Sequence, residues 1–365
     1  MPWLVLALGL VALVVSLVAT RGATLLGRRL NALDAAGVAG QVKAGPRRVP
    51  NIGGIGVVAG LLVPIVAALI FAPLIEGPHR ELTDPSAVVF DAVVLIAAIL
   101  LLHVLGLIDD RKPLGPLLKL GLMALPAIAI PLLTDSRLLT LLDAYPGGQA
   151  MSIAITALWL LAMTNALNFL DNMDGLSAGV AAIAGAFLTI AMLLAGQWFV
   201  AGLSACVVGA CLGFLPHNFP NARVFMGDGG SLVLGFVLGF LSARGTYISG
   251  DAHQWWGVLL PLLVLAVPLY DLTTVVGLRL SQGKSPLVGD LQHVSHRIAD
   301  RGLGRRGAVL VLWAFGMIAG ASGLLLLTVN ATGAIIIGVQ AVVLMAVLGV
   351  LEFWPRTGPR GGAHG

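Results

Sequence analysis

The sequence predicts an all-α polytopic membrane protein, and three observations carry that prediction. Of its 365 residues, 58% are hydrophobic and 10% charged, with a mean hydropathy of +0.98, which leaves too little polar surface to wrap a soluble core. The apolar residues fall in runs near the roughly 20 residues that a helix needs to cross the hydrocarbon core. The basic residues gather in alternate loops, the pattern produced when Lys and Arg are held on the cytoplasmic side.

About eleven spans follow, near 2–20, 53–75, 86–108, 113–133, 150–169, 176–195, 198–216, 229–243, 255–276, 308–328 and 332–353. The first lacks a basic region before it and is followed by Arg21, Arg28 and Arg29, the reverse of a secretory signal, so it reads as a retained span with its N-terminus outside. Loop 21–52 also carries Lys43, Arg47 and Arg48, and loop 277–307 carries Arg279, Lys284, Arg297, Arg301, Arg305 and Arg306. Opposite them lie Arg80, Arg137 and Arg244. With eleven spans the C-terminus is cytoplasmic. The sequence pI of about 9.4 is mostly this bias and needs no nucleic acid to explain it. Residues 1–354 read as one integral membrane domain, and the Gly/Pro-rich tail 355–365, PRTGPRGGAHG, as disordered. Cys206 and Cys211, five residues apart within one span, imply neither a disulfide nor a metal framework.

The acids are placed unusually. Short cytoplasmic loops normally hold Lys or Arg, yet GLIDDRKPLG brings Asp109 and Asp110, NALNFLDNMDGL brings Asp171 and Asp174 beside Asn165 and Asn168, and MGDGGS brings Asp228. Asp290 falls on the same face. One such acid alone is as readily a solvated loop group. Gathered together they repel one another unless a cation intervenes, and Mg²⁺ suits carboxylate and amide oxygens whose shell is completed by water and substrate phosphates. Asn165, Asn168, Asp171 and Asp174 recur every third residue, so neighbours lie close on a helix while the set drifts around its axis. Gly175 marks a break that would let Asp174 turn inward from a loop.

Basic groups complete the set. Lys119 lies roughly 9 Å into the fourth span, and its stem is long enough to return the ammonium to the same mouth. The segment DLQHVSHRIADRG supplies His293, His296, Arg297 and Arg301, enough donors for a diphosphate. Two His at this spacing could equally form a helix face or bind a transition metal, but the oxygen-rich partners favour phosphate contact. Gly53 and Gly54, and the glycines of MGDGGS, would let backbone N–H groups approach an anion, or serve tight turns and helix packing.

Taken together, GLIDDRKPLGPLLKL, NALNFLDNMDGL and GFLPHNFPNARVFMGDGGSLVLG resemble the polyprenyl-phosphate N-acetylhexosaminyl-1-phosphate transferases, the membrane family containing WecA, TagO and MraY. The resemblance runs from about Pro46 to Gly302. It implies Mg²⁺-dependent transfer of a sugar-1-phosphate, with Mn²⁺ a substitute, from a UDP-N-acetylhexosamine to a polyprenyl phosphate, undecaprenyl phosphate in bacterial inner membranes, with release of UMP. The lipid-linked product would feed cell-envelope polysaccharide. Carried over by position, it implies catalytic roles for Asp109, Asp110 and Asp171, substrate contacts from Lys119, Asp174, Asn218, His293, His296 and Arg297, and a metal site at Asp228 and Asn168. Two positions depart from the family. His293, Val294, Ser295 and His296 replace a His-x-His-His motif, and Arg47 and Arg48 stand where the family has a first-loop histidine. The run of three histidines followed by Phe-Glu that marks MraY is absent, so the WecA/TagO branch and UDP-GlcNAc are favoured. A homodimer stays open.

The rival reading is a proton- or cation-coupled transporter, whose site should lie near the membrane midplane. The acids here sit at one face, and the polar residues inside spans, Asp91, His103 and Asp271, form no obvious set. His103 and Asp271 lie toward the cytoplasmic end, where they would support the site from behind. An inactive scaffold would have no need of the acidic clustering.

Overall fold

Small residues decide which apolar run stands at the centre. In the computed structural model, which describes residues 2–30, 49–71, 85–134, 136–245, 247, 255–286 and 292–353, that run is α8 (Asp228–Arg244). It is buried along nearly its whole length and packs against α2 (Gly54–Phe71), α3 (Pro85–Arg111), α5 (Gly148–Leu170), α6 (Leu176–Leu194) and α7 (Trp198–Asn218). Gly235 and Gly239, four residues apart, let α5 approach: a Cβ at Gly235 would stand 2.7 Å from the Thr164 Cα. Gly54 of α2 lies against Gly230, where an added Cβ would come within 2.8 Å of backbone. Helices in a bilayer associate through close packing of this kind, because lipid tails are as apolar as the helices themselves.

The same device docks α1 (Pro2–Arg29) on α7. Gly209 and Gly213 of α7 face α1 so closely that a Cβ on either would meet its backbone or Ala12, and the Ser16 hydroxyl donates to the Ala210 carbonyl at 2.7 Å. Both pairs, Gly209/Gly213 and Gly235/Gly239, have the Gly-x-x-x-Gly spacing.

Nine stretches among the described residues are long and apolar enough to cross a membrane. The expected straight span at 255–276 is instead a helical pair, Trp255–Val264 and Ala266–Ser281, bent by 70°. Pro268 has no N–H with which to bond back to Val264, so the ladder fails at the break. The two halves contain α9 (Leu260–Val264) and α10 (Ala266–Ser281). Counted as one, the pair makes a tenth span, and α8 accounts for the eleventh expected run. At 17 residues, roughly 26 Å by helix rise, α8 is shorter than a bilayer core, and being sheathed by protein it needs no lipid contact. The remaining helices are α4 (Pro116–Leu133), the five-residue α11 (Val294–Ile298), α12 (Gly304–Leu325) and α13 (Ala331–Phe353). Cys206 and Cys211 are free thiols buried in α7. Arg47, Arg48, Asp290 and the tail 355–365 lie outside the described residues.

α3 and α8 run antiparallel. Asp110, near the end of α3, meets the start of α8, while Asp91, near its beginning, pairs with Arg244 at the far end of α8 at 3.5 Å. The ends of α3, α5 and α10 and the starts of α4, α8 and α11 therefore collect at one membrane face.

Candidate active site

The first turn of α8 is the hub. Its start is fixed by Asp110, whose carboxylate accepts from the backbone N–H of Asp228 at 3.2 Å and of Gly229 at 3.4 Å, with the Asn51 amide donating to it at 2.9 Å. The first N–H groups of a helix have no partner within it, and a carboxylate there both satisfies them and meets the positive end of the helix dipole. Gly106, one turn before Asp110, lets α3 come close enough: a Cβ there would stand 2.5 Å from the Asp228 carbonyl oxygen. Gly227, at φ 68°, adopts the left-handed region that delivers the chain to this turn. Pairing of Gly53 and Gly54 N–H with the Phe225 and Met226 carbonyls, both at 2.8 Å, ties the start of α2 to the same loop. The glycines thus serve close packing, one of the two roles expected of them.

Around that turn the polar groups converge. One oxygen of Asp228 accepts from the Asn168 amide at 2.8 Å, and the other receives the Lys119 ammonium. Lys119 also pairs with Asp109 at 3.0 Å, so the ammonium bridges two carboxylates brought from different helices. Asp109 is itself held by the Leu114 N–H at 2.8 Å. Asn168 reaches the Ser231 hydroxyl at 3.0 Å. The long stem of Lys119 does return its charge to the mouth.

Asp171 closes α5, and burial pushes its carboxyl well above the ordinary range, an effect reinforced by the charges of Asp228 and Asp110 and opposed by a hydrogen bond from the Gly227 backbone. A raised carboxyl pKa means that the folded protein holds a proton that the unfolded chain releases near pH 4. The stability Asp171 contributes is therefore present below about pH 4 and is lost as pH rises toward its folded value. In EDTA, the melting temperature of detergent-solubilised protein should fall across that window, and Asp171→Asn should flatten the fall; an unchanged slope would show that the strain lies elsewhere.

Asp174 stands immediately before the break at Gly175, φ 79°, and accepts from the Ala222 N–H at 3.1 Å, joining the α5–α6 turn to the loop before α8. Asn218, expected at the substrate, is buried and forms a clasp: its carbonyl accepts from the Gly175 N–H at 2.5 Å and its amide donates to the Val224 carbonyl at 2.9 Å. Asn218→Ala should strand both backbone groups. At about 1–3 kcal/mol for each unsatisfied buried group, a clear drop in melting temperature is expected; an unchanged midpoint would remove that role.

The histidine arm comes from the other side. His293 is buried, its Nδ1 lies 2.8 Å from Asp271, and its ring meets Phe169 edge-on at 5.4 Å between centroids. The second oxygen of Asp271 accepts from the Val294 N–H at 2.7 Å, capping α11 from α10 as Asp110 caps α8 from α3. Ser295, which stands where the family motif has histidine, is buried and donates to the Asn172 carbonyl at 2.6 Å, tying the arm to the turn that carries Asp171 and Asp174. His296 lies partly exposed one residue on. Arg297, expected at the substrate, is paired with Glu352 of α13 through Nε at 3.0 Å and Nη2 at 2.6 Å. His103 lies 2.7 Å from the Gly229 carbonyl, behind the α8 turn. His103 and Asp271 both back the site, as their positions suggested, while Glu352 was missed because nothing near it in sequence carries chemistry.

A family model described as glycosyl transferase family 4 matches residues 92–246, which hold the paired aspartates, Lys119, the α5 end and Asp228. The chain is 31% identical to the "Probable undecaprenyl-phosphate N-acetylglucosaminyl 1-phosphate transferase" of Bacillus subtilis (strain 168), over 76% of this chain and 73% of that protein. It is 31% identical to the decaprenyl-phosphate N-acetylglucosaminephosphotransferase of Mycobacterium tuberculosis (strain ATCC 25618 / H37Rv), over 93% and 87%. It is also 31% identical to the phospho-N-acetylmuramoyl-pentapeptide-transferase of Moorella thermoacetica, over 77% and 85%. A helical, multi-pass membrane protein with these likenesses is an enzyme of the sugar-phosphate transfer class. The chain belongs to glycosyl transferase family 4, the polyprenyl-phosphate N-acetylhexosaminyl-1-phosphate transferases.

Proposed function

We propose that the protein transfers N-acetylglucosamine-1-phosphate from UDP-GlcNAc to undecaprenyl phosphate at the cytoplasmic face of a bacterial inner membrane. UMP is released, and the lipid-linked diphosphate sugar supplies an envelope polysaccharide. The observation that carries this reading is the convergence of Asp109, Lys119, Asn168, Asp171 and Asp228 at one helix mouth, supported by relatives named for polyprenyl-phosphate transfer of N-acetylglucosamine phosphate.

The acceptor is a phosphate monoester, largely ionised near neutral pH because its second pKa is about 6. It needs little help from a base. One of its oxygens attacks the β-phosphorus of the UDP-sugar, the new P–O bond forms as the bond to UMP breaks, and UMP leaves as the anion. Repulsion between anions is the main obstacle, so charge neutralisation and alignment are what the protein must supply. Lys119 is the cation already seated among the carboxylates, and the segment that carries His293 and His296 is tied to the same mouth through Ser295 and Asn172.

The residues fit a hard divalent cation: the charges of Asp228 and Asp110 lie close enough to Asp171 to push its carboxyl up, and the donors are oxygens without thiolates. No group of three acidic, histidine or cysteine ligands stands ready-made among the described residues, so substrate phosphate and water would complete the shell. Asp228 and the carbonyl oxygen of Asn168 would hold Mg²⁺, or Mn²⁺ in its place, and the bound ion would neutralise diphosphate charge. Asp109, with its oxygens on the Leu114 N–H and Lys119, is arranged to hold the lysine rather than to act as a nucleophile, which favours direct transfer over a phosphosugar-enzyme.

The test is UMP release by purified protein with undecaprenyl phosphate, Mg²⁺ and a panel of donors. UDP-GlcNAc should be used best and EDTA should abolish release. Preference for UDP-MurNAc-pentapeptide would move the protein to the reaction named for the Moorella relative, and metal-independent release would remove Mg²⁺. Labelled protein formed from UDP-sugar without lipid would overturn direct transfer.

A further inference from the structure

The last helix is nearly bare of protein contacts, with Ile337, Leu348 and Glu352 its buried residues, yet the one acid among them is fully buried at 0% exposure. A carboxylate is not withdrawn from solvent without partners, and two of the three partners of Glu352, Arg297 and Arg301, belong to the histidine arm. Its Oε2 accepts from Arg297 Nε and Nη2, its Oε1 from the Tyr270 hydroxyl at 2.8 Å, and its backbone carbonyl from Arg301 Nε at 3.1 Å. Arg297 continues the chain of contacts, with Nη2 donating to Thr274 Oγ1 at 3.0 Å and Nη1 to the carbonyl of Gln292, the residue before His293. Phe353 lies under the guanidinium, 5.7 Å from ring centroid to Cζ. From the other side, Asp271 grips His293 and the Val294 N–H.

We propose that Glu352 is a positioning residue for transfer: through Arg297 it sets the backbone on both sides of His293 and so fixes where His293 and His296 meet the donor diphosphate. The kinetic part of this inference rests on the function proposed above. Glu352 lies outside the residues matched by the family model, and its partners Tyr270, Arg297 and Arg301 include none of the acids at the α8 mouth.

Two measurements on full-length protein in detergent test it. Hydrogen exchange reads the clasp without turnover: in Glu352→Gln the amides of residues 292–301 should exchange at least tenfold faster while those of α8 keep their protection. Equal exchange in variant and wild type overturns the proposal. Steady-state kinetics read the consequence: KM for UDP-GlcNAc should rise about tenfold with KM for undecaprenyl phosphate unchanged, and Glu352→Asp should recover part of the loss. Merely losing folded enzyme would lower kcat and leave both KM values alone, and that result also overturns the proposal. Should Glu352→Gln fail to fold, Tyr270→Phe removes one hydrogen bond to the same carboxylate and keeps the ion pair; it should give a smaller shift confined to the donor, and an unshifted donor KM counts against the clasp. A wild-type protein inactive on every donor would sink the proposed function, while the exchange result would still decide the clasp.

Discussion

Asp228→Asn should cost about two to three orders of magnitude in kcat, the scale seen when one preorganised electrostatic group is removed from a transition-state site. The substitution keeps the shape of the side chain and removes its charge. Three contacts change together. Lys119 loses one of the two carboxylates it bridges, the Asn168 amide loses an anionic acceptor, and Asp171 loses the charged neighbour that acts on it most strongly. With that neighbour gone, Asp171 should ionise more easily, so part of the acidity of the mouth returns at a different place and in a different geometry. The cap on α8 is built by Asp110 on backbone N–H groups and does not depend on the Asp228 side chain, so the helix should stay in place. UMP release, measured beside the melting temperature, separates the two effects. A variant within tenfold of wild type would remove Asp228 from the centre of the reaction; a large fall in melting temperature would show that its role is structural.

Composition and charge order were enough to read an all-helical, multi-pass chain, because burial in lipid leaves a periodic and unmistakable trace in the sequence. Neither revealed that one of the eleven runs is bent by 70° or that another is sheathed by its neighbours. Those facts depend on Pro268, and on where Gly235, Gly239, Gly106 and Gly54 allow backbones to meet, and a glycine in an apolar run looks the same whether it faces lipid or another helix. In the site, the residue types were legible and their division of labour was not. Asp109 and Asp110 are adjacent in sequence, yet successive positions on a helix point about 100° apart, so one meets Lys119 and the other the start of α8. Arg297 reads as a phosphate contact from the basic cluster around it, while its ion pair with Glu352, 55 residues away, has no trace in the sequence. Asn218 is placed at the substrate by resemblance alone, and its two clasps, 43 residues back to Gly175 and 6 forward to Val224, leave no pattern in the sequence.

Asp271→Ala should both unsettle the protein and disarm the histidine segment. Asp271 is fully buried, at 0% exposure, and each of its oxygens has an assigned partner: His293 Nδ1 on one and the first free N–H of α11 on the other. Truncation strands both groups where water cannot replace the carboxylate. At about 1–3 kcal/mol for each, the expected loss is about 2–6 kcal/mol, a large share of a typical folding free energy. The catalytic consequence follows from orientation. With Nδ1 held by Asp271, Nε2 is the nitrogen left for a ligand, and without that hold the ring and the α11 backbone are both released. Asp271→Asn is the sharper companion, since it keeps an acceptor for the Val294 N–H but can turn an NH₂ toward the imidazole and reverse which ring nitrogen carries the proton. It should therefore fold better than Asp271→Ala and yet stay impaired in kcat/KM for the nucleotide donor. Melting temperature and donor kinetics on the two variants give the answer: if Asn restores stability and turnover together, the carboxylate matters as a cap for α11 alone, and His293 needs no orientation from it.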